Sequence, residues 1–145
     1  MVHLACFAAY LGAGFAQLQM MKRSVAATGE VRRVYEELAA SILVKIELPA
    51  IFGSVLTGAV FVALTPAFLK QGWLHGKLLC VVVLLVLSHL EMLNAKKIVR
   101  LRATHDAASE NEIAARKSRH QVFGAIGTVA VVALLVCVTV VRLAG

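Results

Sequence analysis

Two imidazoles and an ammonium interrupt one of the most apolar stretches of the chain, residues 73–97, WLHGKLLCVVVLLVLSHLEMLNAKK. Ionisable side chains inside hydrocarbon are costly, so their default roles are metal ligation, proton relay or the holding of a counter-charge. A helix turns about 100° and rises about 1.5 Å per residue, which puts His75 and His89 roughly 21 Å apart on one stripe, about 40° short of four whole turns. That stripe reads His75, Leu79, Val82, Val86, His89, Leu93. Turned inward, it suits an iron-bound macrocycle near each surface of a bilayer. Lys77 lies about 200° from His75, so on a straight helix the two address different surroundings; it either snorkels to the outer surface or faces the core and holds an anionic group.

A partner for His75 exists at the start of the chain. His3 begins a stripe that continues through Phe7, Tyr10, Gly14 and Gln17, and Gly14 removes a side chain where a flat ring needs room. His3 and His75 at one depth are candidate axial ligands of haem iron, with His89 as the deeper alternative. At the inner level His89 faces Gln17 or His120, while His105 falls in a polar loop. Lys45 with Glu47, and Glu91 with Lys97, read as ordinary ion pairs or hydrated charges near the inner surface. Cys6, Cys80 and Cys137 are odd in number and without C-x-x-C spacing, so no disulfide framework or zinc site is implied. With His3 they could bind copper(I) through soft sulfur; the plainer reading makes them small apolar fillers.

The elements that position these residues are helices. The chain has 145 residues, of which 60% are hydrophobic, and its mean hydropathy is +0.83; a water-soluble core of this size does not need so much apolar surface. About 20 apolar residues cross a hydrocarbon layer, and four segments qualify, at about 2–21, 39–65, 73–95 and 121–144. The expected architecture is all-α: a single domain over 1–145, an integral membrane up-down four-helix bundle. No basic leader precedes the first segment, which therefore reads as a retained span rather than a cleaved signal.

Charge sets the expected orientation. Lys22, Arg23, Arg32 and Arg33 lie in one connection, and Lys96, Lys97, Arg100, Arg102, Arg116, Lys117 and Arg119 in another; Lys70 and Arg142 are on the other side. Short loops rich in Lys and Arg stay cytoplasmic, so both termini are expected outside. No aromatic platform or reading motif accompanies this charge, and nucleic-acid binding is not implied. Small residues four apart, at Ala8, Gly12 and Ala16 and at Ala50, Ser54 and Gly58, predict close helix contacts. Val31, Val34, Tyr35 and Leu38 extend the second span inward as an amphipathic helix with Thr28 as cap. Pro49 begins or kinks the second span and Pro66 ends it, whereas the helical pattern breaks between His105 and Ser109.

A histidine opening span 1 (VHLACFAAYLGAGF), a proline followed by threonine-glycine in span 2 (LPAIFGSVLTGAVF) and W-L-H-G-K with a later histidine in span 3 (WLHGKLLCVVVLLVLSH) resemble the HemJ-type protoporphyrinogen oxidases of bacteria and their CopD-type kin, over residues 1–95. The resemblance implies haem b in a small bundle of a bacterial cytoplasmic membrane, with His3 and Lys77 as critical positions and electrons passing from a porphyrinogen toward quinone. Span 4 lacks the family's Phe-Arg and Asn-Glu-Pro pattern. The alternatives are a copper-handling protein of CopD type and a cofactor-free subunit docked on a larger membrane complex; self-association is a further expectation.

Overall fold

A computed structural model of the chain describes residues 1–103 and 109–144, all but the connections helical. His105 and the side chain of Arg142 lie outside what is described. The helices are α1 (Val2–Ala26), α2 (Gly29–Ile42), α3 (Leu48–Leu64), α4 (Gly72–Ala103) and α5 (Ser109–Ala144). A π-helical turn, Leu43–Glu47, joins α2 to α3 without a break, and a 3-10 turn, Pro66–Lys70, joins α3 to α4. Four helices, counting Gly29–Leu64 as one, are long and apolar enough to cross a membrane.

The two prolines act through the same missing N–H. Pro49 has no proton to donate back along the helix and its ring crowds the preceding turn; the backbone widens just before it, and Leu48 N–H reaches the Leu43 carbonyl. Such single π turns inside α-helices frequently sit at functional sites. Pro66 follows α3 after a single residue, Thr65, and opens the 3-10 turn. Phe68 in the 3-10 turn stacks on Phe61, 5.6 Å between centroids, and meets the edge of Trp73 at 6.2 Å.

Packing pairs α1 with α2 and α3, and α4 with α5, and the two hairpins meet chiefly along α2 and α4. Contacts across the bundle form layers. Starting from the end that carries most of the Lys and Arg, hereafter the basic end, the first is ionic. The second is a ring of Met21, Ala39, Ile98 and Ile113, one from each span. A polar layer follows. Above it lies a thicker apolar layer of Tyr10, Ala50, Ile51, Leu84 and Leu134, with Phe7, Leu11, Cys80, Val81 and Leu85 packed on it.

Close approaches occur where glycine leaves a notch. A Cβ added at Gly53 would lie 3.0 Å from Cys6 Sγ, and one at Gly58 would lie 3.4 Å from the His3 ring, which confirms the small-residue face of α3. The expected face on α1 does not pack within the chain: Ala8 and Gly12 are exposed, and nothing lies within 4 Å of a Cβ at Gly12. On α2 the apolar stripe Val31, Val34 and Leu38 faces outward, and Glu36 and Ala39 are the residues turned into the bundle. Thr28 occupies the cap position, yet its hydroxyl makes no capping bond.

Candidate functional site

The stripe on α1 faces inward as expected. Tyr10 and Gln17 are buried, and His3, Phe7 and Gly14 are half-buried. His3 Nδ1 donates to the Ser54 carbonyl at 2.9 Å, with Thr57 Oγ1 at 3.1 Å. The stripe on α4 does not face inward. His75, Leu79, Val82, Val86, His89 and Leu93 are all exposed, and the inward face is instead Leu74, Leu84, Ser88, Glu91, Asn94, Ala95 and Ile98. The helix is rotated by about half a turn from the expected setting, and Lys77 is half-buried on its flank. His75 and His89 therefore open onto the outer surface of α4 and do not converge with His3.

That rotation brings together residues with other expected roles. Glu47 closes the π turn and is 3% exposed; Glu91 on α4 is 8% exposed. The expected ion pairs do not form: Lys45 and Lys97 point to the exposed surface, and among the described residues neither carboxylate is paired with a cation. Ser88 Oγ donates to Glu47 Oε1 at a long 3.4 Å. Glu47 Oε2 is buried with no hydrogen-bond partner. The two carboxylates are close enough to feel each other's charge, and Tyr10 lies within the field of both.

Each carboxylate faces a glycine on another helix. A Cβ on Gly14 of α1 would lie 3.9 Å from Glu47 Oε2, and a Cβ on Gly124 of α5 would lie 3.7 Å from Glu91 Oε1. One turn from each glycine is a further polar side chain, Gln17 on α1 and His120 on α5, and these two are joined across the bundle by a 3.0 Å contact between Gln17 Nε2 and His120 Nε2. An amide nitrogen only donates, so His120 Nε2 accepts and the proton of the neutral ring is on Nδ1. That Nδ1 is buried and has no partner. His120, expected at the interface, is thus 4% exposed and part of the interior.

A buried polar atom without a partner costs roughly 1–3 kcal/mol. Here two occur in one layer, alongside two carboxylates with no neutralising cation. The layer thus gathers two carboxyl groups, an imidazole, an amide and a hydroxyl in the interior of the bundle. Among the described residues no three His, Cys, Asp or Glu side chains converge as a metal site. Cys6 packs in the α1–α3 seam against Gly53, and Cys137 in the α4–α5 seam, 4.0 Å from a Cβ at Gly76.

Below the apolar ring, Glu36 is the hub of the ionic layer. Arg102 reaches its two oxygens through Nε and Nη2, each at 3.1 Å, and Lys117 Nζ lies 2.6 Å away. Lys117 also donates to Ser24 Oγ at 3.2 Å, and Arg102 pairs with Glu110. All four spans are tied at this one place. No protein-family model, curated protein or solved structure matches the chain.

Proposed function

We propose that the protein is an integral membrane protein that handles protons, and that Glu47 and Glu91 are its exchangeable site. The observation that carries this reading is the pair of buried, cation-free carboxylates between two apolar layers at mid-bundle. Intramembrane ionisable groups of this kind mark proton relays and proton-coupled transport. Tyr10, Ser88, Gln17 and His120 supply hydroxyl, amide and imidazole groups that can hold or pass a proton beside the pair. Gly14 and Gly124 leave room for the carboxylates to change partner.

The test is reconstitution into liposomes with a trapped pH indicator and an imposed potassium diffusion potential. Wild-type protein is expected to take up protons under this drive, and Glu47→Gln and Glu91→Gln are each expected to abolish uptake, since a carboxamide keeps the shape and lacks the exchangeable proton. Uptake equal to wild type in both variants refutes the proposal.

Binding of haem b, as the resemblance implies, is the second reading, and one observation favours it. A histidine that ligates a metal commonly donates its other ring N–H to a backbone carbonyl, and His3 Nδ1 does so to Ser54, which leaves Nε2 as a free lone pair. Haem would supply one-electron chemistry, and His3 would hold its iron with Lys77 available to an anionic substituent. His75 and His89, on the outer face of α4, would not join His3 in holding it. A Soret band in the purified protein that is lost in His3→Ala favours this reading. Copper handling of CopD type would appear instead as stoichiometric copper in colourless protein, and a cofactor-free accessory role as neither haem, copper nor proton uptake.

A further inference from the structure

The two apolar layers that enclose the carboxylates are unequal. Toward the end that carries His3 and Lys70, the path from Glu47 meets Tyr10, Ala50, Ile51, Leu84 and Leu134 and then a second tier of half-buried apolar side chains. Toward the basic end it meets a single ring, Met21, Ala39, Ile98 and Ile113. Polar groups pass round that ring along the seam between α4 and α5. Asn94 follows Glu91 by one turn on the inward face of α4 and is 6% exposed. Its Nδ2 donates to the Arg116 carbonyl at 2.8 Å, and its Oδ1 accepts from Arg116 Nη1 at 3.4 Å. Arg116 reaches the surface, where Nε and Nη2 donate to Glu112 Oε1 at 2.9 and 2.7 Å.

We infer that the carboxylate pair exchanges protons with the aqueous phase at the basic end alone, through the α4–α5 seam, and that Asn94 is the residue that keeps this seam polar. The inference rests on the acid–base reading above. The groups facing the pair are Tyr10 and Gln17 from α1, Ser88 beside Glu91 on α4, Glu47 at the π turn and His120 from α5. Of the cations on neighbouring faces, Lys117 and Arg102 are held by Glu36. The Arg116 charge is offset by Glu112 at the mouth of the seam. An amide at Asn94 can orient water toward Glu91; a branched alkyl group there would complete the apolar ring.

The experiment follows the carbonyl stretch of protonated carboxylic acids by infrared spectroscopy after a rapid pH jump, on the full-length protein in lipid nanodiscs. Glu47→Gln and Glu91→Gln identify the band. Asn94→Leu is expected to slow its appearance roughly tenfold or more, the factor for about 1.4 kcal/mol of added barrier. Asn94→Gln restores the rate, and Thr57→Val, at the opposite end, leaves it unchanged. Should Asn94→Leu fail to fold, Arg116→Met cuts the link to Glu112 while sparing the backbone acceptor, and is expected to slow exchange as well. If exchange persists at the wild-type rate in Asn94→Leu or in Arg116→Met, or is slowed equally by Thr57→Val, the route is wrong. If no carboxylic band titrates in wild-type protein, the acid–base reading itself fails.

Discussion

Glu36→Ala is expected to be the most damaging single change at the basic end, although the residue touches nothing proposed to be functional. The Glu36 side chain is 1% exposed, and its cationic partners Arg102 and Lys117 are only 14% and 13% exposed. Removing one member of a buried ion pair costs about 3–5 kcal/mol, because the remaining charge stays desolvated without compensation. Two cations lose their common partner here. Arg102 keeps Glu110 and Lys117 keeps the Ser24 hydroxyl, which places the expected loss near the lower figure, about 3 kcal/mol. The assay is reversible unfolding in mixed micelles with increasing sodium dodecyl sulfate, followed by circular dichroism. Replacing the whole cluster by Glu36→Leu, Arg102→Leu and Lys117→Leu should recover most of the loss, since well-packed apolar groups often equal or exceed a buried ionic set. A loss below about 1 kcal/mol, the range of exposed pairs, would refute the claim that this carboxylate is desolvated and shared.

Two glycine substitutions are expected to separate contact from space. Gly53→Ala places a Cβ 3.0 Å from Cys6 Sγ, and such overpacking costs about 1–3 kcal/mol; Cys6→Ala in the same chain should return stability to the parent value in the same unfolding assay. Gly14→Ala and Gly124→Ala place their Cβ atoms 3.9 and 3.7 Å from carboxylate oxygens, which is ordinary contact, so these variants should be neutral or gain up to about 1 kcal/mol of helix propensity. The same two substitutions should slow carboxyl exchange in the infrared measurement, because they fill the room beside Glu47 and Glu91.

The four long helices were legible because apolar length alone defines them. Rotation was legible for α1 and misleading for α4, for a physical reason. On α1 the polar and aromatic residues His3, Tyr10 and Gln17 all fall on one side, so any packing that hides them gives the right face. On α4 polar residues lie on two sides, His75 and His89 against Ser88, Glu91 and Asn94, and the apolar background is nearly uniform. A helix hydrophobic all round carries no moment to choose between them.

The choice could have been made on the carboxylates. Lys45 and Glu47 are separated by about 200° around a helix, and Glu91 and Lys97 by about 240°, so neither pair could meet on its own helix and each carboxylate had to find other surroundings. Ser88, Glu91 and Asn94 recur at three-residue steps and share a depth with Gln17, Glu47 and His120, and that coincidence across four spans was the available signal. The π turn was not legible beyond Pro49 itself, because whether a proline kinks a helix or widens it depends on the packing around it.

The layering also bears on where the bundle can open. Hydrogen bonds and ion pairs from α1, α2, α4 and α5 converge on Glu36, so separating any two spans at that point breaks charged contacts in a poorly hydrated place. The opposite half offers no such cost, but there the apolar layer is two tiers thick. Between these extremes the α4–α5 seam combines a thin apolar ring with an amide and a guanidinium that already reach the surface. Water reaching Glu91 along Asn94 and Arg116 would leave the Glu36 cluster undisturbed. The strongest polar contacts therefore hold the spans together, and the weaker 3.4 Å contact between Arg116 and Asn94 lies where a polar route reaches the surface.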